Sequence, residues 1–120
     1  MTMEYLLVFF GGGLGSLLRM GITKLTALFY SGSFPLATIV SNVFSCLIMA
    51  ATVEIVMRHW PGNNTIKALA LVGFCGGLST FSTFSHETVQ LIKNGNQLVA
   101  VGNVILSVGV CLILIYKLTK

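Results

Sequence analysis

The chain has 120 residues, of which 55% are hydrophobic and only 8% charged. Soluble proteins carry about 25% charged residues, and a soluble domain this small needs far more polar surface to cover it, so the composition excludes a soluble domain and points to an integral membrane protein. The formal net charge of +4 comes from scattered Lys and Arg without a basic run, which leaves no nucleic-acid-binding patch.

Crossing a hydrocarbon core of about 30 Å takes about 20 apolar residues as helix, and four stretches are long enough. The first runs from about Glu4 to Tyr30. Its start, "MTMEYLLVFFGGG", carries Glu4 where a secretory signal would carry Lys or Arg, and no small-x-small cleavage site follows. It reads as a retained helix. The second runs from Pro35 to Met57, the third from Thr65 to Lys93, and the fourth from Gln97 to Tyr116. The connections are turn chemistry: "SGSFP" puts Pro35 at a helix start, "RHWPGNNT" offers Thr65 as an N-cap, and "NGN" spans Asn94 to Asn96. Such short links make neighbouring helices antiparallel. The expectation is an all-α membrane protein, one four-helix domain over residues 1–120, with both termini on one side.

Loop charge should orient it, because Lys and Arg collect on the cytoplasmic side. One side carries Arg58, Lys67, Lys117 and Lys120, and the other Arg19, Lys24 and Lys93. Four against three orients almost nothing. A chain of this kind can insert both ways, and two opposed copies would then pair about a two-fold axis in the membrane plane. A fixed topology with a weak signal is the alternative.

Gly11 with Gly15, and Gly73 with Gly77, form GxxxG motifs that let helix backbones approach closely. Cys46, Cys75 and Cys111 are far apart, lie in apolar stretches and lack metal-ligand spacing, so they read as small packing residues. His59 and His86 are too far apart in sequence to suggest a metal site.

Polar groups in hydrocarbon are costly, so those inside the spans are the functional candidates. Arg19 lies one turn after Gly15 and serves either as an anchor or as a charge at a pore mouth. Asn42, about 10 Å into the second span at 1.5 Å per residue, offers an amide NH2 to an anion or to a neighbouring helix. Asn103 and Ser107 share a face of the fourth span.

The third span is the informative one. It contains "GFCGGLSTFSTFSHE", Gly73 to Glu87. Gly76-Gly77 followed by Leu78-Ser79-Thr80 is poor helix material, so a break is expected over Gly76–Thr80. Irregular backbone at membrane depth is tolerated only when buried in protein or lining a cavity. After the break Phe81 and Phe84 share one face, and Thr80 and Thr83 a neighbouring one that Glu87 continues. The run Ser85-His86-Glu87 is no catalytic triad, since adjacent helical side chains diverge, and no enzyme is expected.

At these residues the chain resembles the Fluc (CrcB) family of fluoride channels. The third-span stretch resembles that family's signature, "GGGLGSLLRM" with Arg19 and "PLATIVSN" ending at Asn42 resemble two further motifs, and the likeness covers essentially the whole chain. It implies passive export of toxic fluoride across the bacterial inner membrane by an antiparallel, dual-topology homodimer with two pores. It further implies that Phe81 and Phe84 line the pores, with Asn42, Ser82 and Thr83 along the path, Glu87 near a vestibule, and Arg19 at the mouth. Ser107 belongs to the same candidate path. A structural sodium ion would be held at the dimer interface by the backbone carbonyls of Gly76 and Ser79. Members often carry Thr at the position of Ser79 and Tyr at that of Asn103.

The competing class is a small proton-coupled multidrug exporter, also of four helices and dual topology. It requires a carboxylate near the membrane centre. The acids here are Glu4, Glu54 and Glu87, all towards span ends.

Overall fold

A computed structural model describes residues Thr2–Thr119. The described residues contain helices and no strand. Helix α1 covers Thr2–Phe29 and α2 Leu36–His59. The third span is two helices: α3, residues 64–78, and α4, Ser82–Lys93. Helix α5 covers Gln97–Leu118. Four segments, Thr2–Phe29, Leu36–His59, Asn64–Lys93 and Gln97–Leu118, are long and apolar enough to cross a membrane. The chain is a multi-pass membrane protein, elongated at 48 × 29 × 24 Å.

The turns follow their local chemistry. Pro35 stands immediately before α2, where a missing backbone N–H costs nothing. Gly95, in the turn between α4 and α5, has φ +83°, a left-handed conformation that favours glycine. The cap of α3 differs from expectation. Asn63, not Thr65, caps it, with Oδ1 accepting from the Ile66 backbone N–H at 3.0 Å. Asn63 stands three residues before that amide, the reach an N-cap needs, whereas Thr65 is already inside the first turn.

The interior inverts the pattern of a soluble core. Leu78, Val56, Ala50, Cys75 and Ala100 are buried, but so are Thr38, Ser41, Ser45, Asn103 and Ser107, while Phe9, Phe10, Leu28, Leu98 and Ile105 face outward. Lipid solvates apolar side chains as well as a protein core does, so small and hydrogen-bonding residues drive the helices together instead.

The two GxxxG motifs meet. A side chain at Gly11 would strike the Leu69 carbonyl, one at Gly15 the Phe74 carbonyl, and one at Gly77 the Gly12 carbonyl. The backbones of α1 and α3 therefore touch along their length. α3 itself widens: Asn64–Ile66 is α-helical, Lys67–Cys75 is π-helical, and Gly76–Leu78 closes with one α turn. Nothing in the local sequence signalled the π stretch.

The break lies at Ser79–Phe81, overlapping the C-terminal part of the expected Gly76–Thr80. Gly76 keeps helical angles, φ −63° and ψ −37°, whereas Ser79 turns to an extended ψ of 158°. The physical reason is that Gly77 serves close contact with α1 rather than helix termination.

Gly15→Val should therefore destabilise the fold by about 1–3 kcal/mol, the usual cost of overpacking. Gly21→Ala, where an added methyl meets nothing within 4 Å, should change stability little. Denaturant unfolding in detergent micelles checks both.

Candidate functional site

Breaking a helix frees backbone groups that hydrocarbon cannot satisfy. Here side chains from other helices take them up. Asn42 of α2 grips Thr80 at both ends: its Oδ1 accepts from the Thr80 N–H at 2.8 Å, and its Nδ2 donates to the Thr80 carbonyl at 3.3 Å. Thr80 Oγ1 in turn accepts from the Thr83 backbone N–H at 3.2 Å, capping α4. The Cys75 carbonyl, at the end of the π stretch, accepts from Ser45 Oγ at 2.9 Å, Ser79 Oγ at 2.8 Å and the Ser79 N–H at 2.9 Å.

Arg19 of α1 completes the arrangement. Its Nε donates to the Gly77 carbonyl at 3.2 Å. This carbonyl belongs to the C-terminal turn of α3, where partial negative charge accumulates and a cation is favourable. The structure thus places Arg19 as an anchor between α1 and the break.

Beside the break lies a groove of about 260 Å³, lined by Asn42, Cys46, Thr80, Phe81, Phe84 and Ser107, with Ser79, Val108, Cys111 and Leu112 completing its walls. The two phenylalanine rings stand 5.7 Å apart, tilted 42° to each other. Their settings differ: Phe84 is 7% exposed and fixed in the core, whereas Phe81, just before α4, is 77% exposed. Asn42 has one amide hydrogen on the Thr80 carbonyl and a second that this bond leaves over.

A chain of hydrogen bonds holds the opposite wall. Ser107 Oγ donates to Asn103 Oδ1 at 3.3 Å, Asn103 Nδ2 to Thr88 Oγ1 at 2.9 Å, and Thr88 Oγ1 to the Phe84 carbonyl at 2.7 Å. Asn103 is fully buried. It ties α5 to the turn of α4 that carries Phe84.

The structure brings Asn42, Phe81, Phe84 and Ser107 together in one groove. Ser82 and Thr83 do not line it; Ser82 is exposed at the start of α4, and Thr83 is half-buried beside its cap. Glu87 lies in a different depression of about 190 Å³ with Thr23, Thr26, Tyr30 and Phe34. There its Oε1 accepts from Thr38 Oγ1 at 2.7 Å, while Oε2 is buried without a hydrogen-bond partner. Among the described residues, the carbonyls of Gly76 and Ser79 receive no hydrogen bond from a side chain or from non-helical backbone. Also among the described residues, no cluster of three or more His, Cys, Asp or Glu is placed to hold a metal. Of the other acids, Glu54 pairs with Arg58 at 2.9 Å one turn along α2.

Sequence reasoning missed Thr38, Cys46 and Cys111. A helical-face reading finds them: Thr38, Asn42 and Cys46 recur every four residues, as do Asn103, Ser107 and Cys111.

Four spans, the third broken at membrane depth and its break lining a groove of rings, amide and hydroxyls, define a membrane transport protein of the small helical kind. The chain belongs to the CrcB family: the family described as "CrcB-like protein, Camphor Resistance (CrcB)" matches residues 6–117. It is 39% identical over 111 residues to the fluoride-specific ion channel FluC of Coxiella burnetii (strain CbuK_Q154), covering 92% of this chain and 90% of that protein. The proteins of the same name from Clostridium perfringens (strain 13 / Type A) and Serratia proteamaculans (strain 568) are 36% and 38% identical. The matches cover 92% and 95% of this chain, and 86% and 89% of those proteins.

Asn103→Leu should remove the interhelical hydrogen bond to Thr88 and leave Ser107 without its acceptor, costing about 1–2 kcal/mol. Thermal unfolding in detergent, compared with Val104→Leu on the exposed face of the same helix, measures the loss.

Proposed function

We propose that the protein is a fluoride-selective channel, through which fluoride leaves the cell passively across the bacterial inner membrane, relieving its toxicity. The observation that carries this reading is the groove where Phe81, Phe84, Asn42 and Ser107 meet at the broken third span. The names of the relatives supply the ion.

Fluoride is small and strongly hydrated, so a path must replace its water without trapping it. Aromatic rings are positive at the edge and negative at the face. Phe81 and Phe84 attract an anion weakly through their edges. The spare amide hydrogen of Asn42 and the hydroxyl of Ser107 offer hydrogen bonds on the way. Thr83, Ser82 and Glu87 extend the path beyond the groove, with Glu87 at a vestibule. No lysine or arginine lines the groove, which suits release, since a fixed cation there would hold the anion. Arg19 acts at longer range, its charge raising the local anion concentration while it anchors the break.

In this reading the working unit is an antiparallel homodimer in which two opposed copies each contribute one groove. The near balance of charge, Arg58, Lys67, Lys117 and Lys120 against Arg19, Lys24 and Lys93, supports insertion both ways. A sodium ion fits the carbonyls of Gly76 and Ser79, two hard oxygen donors free of the hydrogen bonds that occupy Cys75 and Gly77. It would supply fixed positive charge that ties the two breaks together and would stay bound as fluoride passes.

Phe81→Ile should cut fluoride efflux from proteoliposomes by about tenfold or more, equivalent to a barrier raised by about 1.4 kcal/mol. Asn42→Asp, which sets a carboxylate against the Thr80 carbonyl, should suppress efflux further. A fluoride electrode, with chloride as the control, reads both; undiminished flux through Phe81→Ile would remove the rings from the path. A reporter fused to the C-terminus should give signal on both sides of the membrane, and signal on one side only contradicts dual topology.

A further inference from the structure

The proposed ion path assigns no role to the thiols of Cys46, Cys75 and Cys111, and their sequence spacing carries no ligand pattern. In space they converge from three spans. Cys46 on α2 and Cys111 on α5 both line the groove that holds the phenylalanine rings. They therefore face one common space of about 260 Å³, and Cys75 lies near them. All three are free thiols. Cys75 is fully buried, whereas Cys46 and Cys111 retain partial exposure. Cys46 follows Asn42 by one turn and Cys111 follows Ser107 by one turn, so the pair continues the same two walls.

Two thiols lining one groove from facing helices are ligands for a soft cation. The setting narrows the choice. Calcium requires six to eight oxygen ligands and structural zinc four ligands, and no third His, Cys, Asp or Glu is placed to complete such a shell among the described residues. A closed-shell thiophilic ion that binds two sulfurs in line needs only this pair. Net charge is costly at membrane depth. Two thiolates with a divalent ion give a neutral complex, whereas a monovalent ion would leave one negative charge.

We propose that Cys46 and Cys111 form a two-thiolate site for a linearly coordinated, divalent thiophilic cation, mercury(II) being the probe, and that the bound ion obstructs the groove. From mercuric chloride the balance is simple. Each thiol releases its proton to water, each sulfur forms a bond to mercury, two chloride ions leave, and nothing is oxidised or reduced. The binding claim stands on the thiol pair alone; the obstruction rests on reading the groove as the fluoride path.

Native mass spectrometry of the purified protein, equilibrated with mercuric chloride and then challenged with an excess of a monothiol, tests the binding. The wild type and Cys75→Ala should each retain one mercury per chain. Cys46→Ala and Cys111→Ala, each left with one thiol of the pair, should retain it about tenfold less well or worse. Equal retention in the single variants, or retention that depends on Cys75, overturns the site. X-ray absorption at the mercury edge on unmutated protein should show two sulfur neighbours, and a single sulfur neighbour overturns it without any variant. In proteoliposomes, mercury should stop fluoride efflux through the wild type but not through the Cys46→Ala/Cys111→Ala double variant, each compared with its own metal-free flux. Full efflux through mercury-loaded wild type overturns the obstruction. Absence of efflux from metal-free wild type would instead sink the channel reading, with the binding claim still decided by the mass and absorption measurements.

Discussion

The structure depends on one requirement: a helix interrupted inside a bilayer must have its freed N–H and C=O groups satisfied by protein. Water is not there to do it, and each orphaned group costs several kcal/mol. Asn42 meets the requirement with two hydrogen bonds to Thr80. Ser45 and Ser79 share the Cys75 carbonyl, and Arg19 takes that of Gly77. Donors and acceptors from α1 and α2 therefore meet at the break and at the last turn of α3 before it. Removing Asn42 leaves the Thr80 N–H bare in hydrocarbon, so the break and the packing around it are a single unit.

That unit explains where the polar residues of the chain are. Small residues and hydroxyls fill the interior because they let backbones touch and let side chains bond across helices. Gly11 and Gly15 bring α1 onto α3 closely enough for Arg19 to reach Gly77. Asn103 and Thr88 fix the turn carrying Phe84. The buried ring is thus set by a hydrogen-bond chain running back to Ser107, and the exposed ring of Phe81 by the cap that Thr80 provides. Placing both rings beside an amide and a hydroxyl is a consequence of satisfying the break. The proposed conduction path makes use of donors that were needed there in any case.

Much of this was legible in the sequence. Four spans follow from hydropathy and length, and the GxxxG motifs do meet, because close backbone approach needs a missing Cβ on both helices. That the third span breaks could be read from its glycines and hydroxyls. Where it breaks could not. Gly76-Gly77 looks like the terminator, but helix propensity is local. The residue that ends the helix, Asn42, is thirty-eight positions away from Thr80. The π-helical stretch over Lys67–Cys75 likewise has no local signature, and Arg19 could be read as anchor or pore-mouth charge until its partner was in view. The cysteines show the same limit: Cys46 and Cys111 have no meaningful spacing in sequence, yet line one groove in the fold.

The central claim is that fluoride passes along the groove built on this break. Electrical recording from purified protein in a planar bilayer, under a fluoride gradient opposed by a chloride gradient, tests it most directly. The account predicts a current that reverses at the fluoride equilibrium potential and does not shift when chloride is changed. A reversal potential that follows chloride, or a bilayer with verified protein and no current, would contradict it.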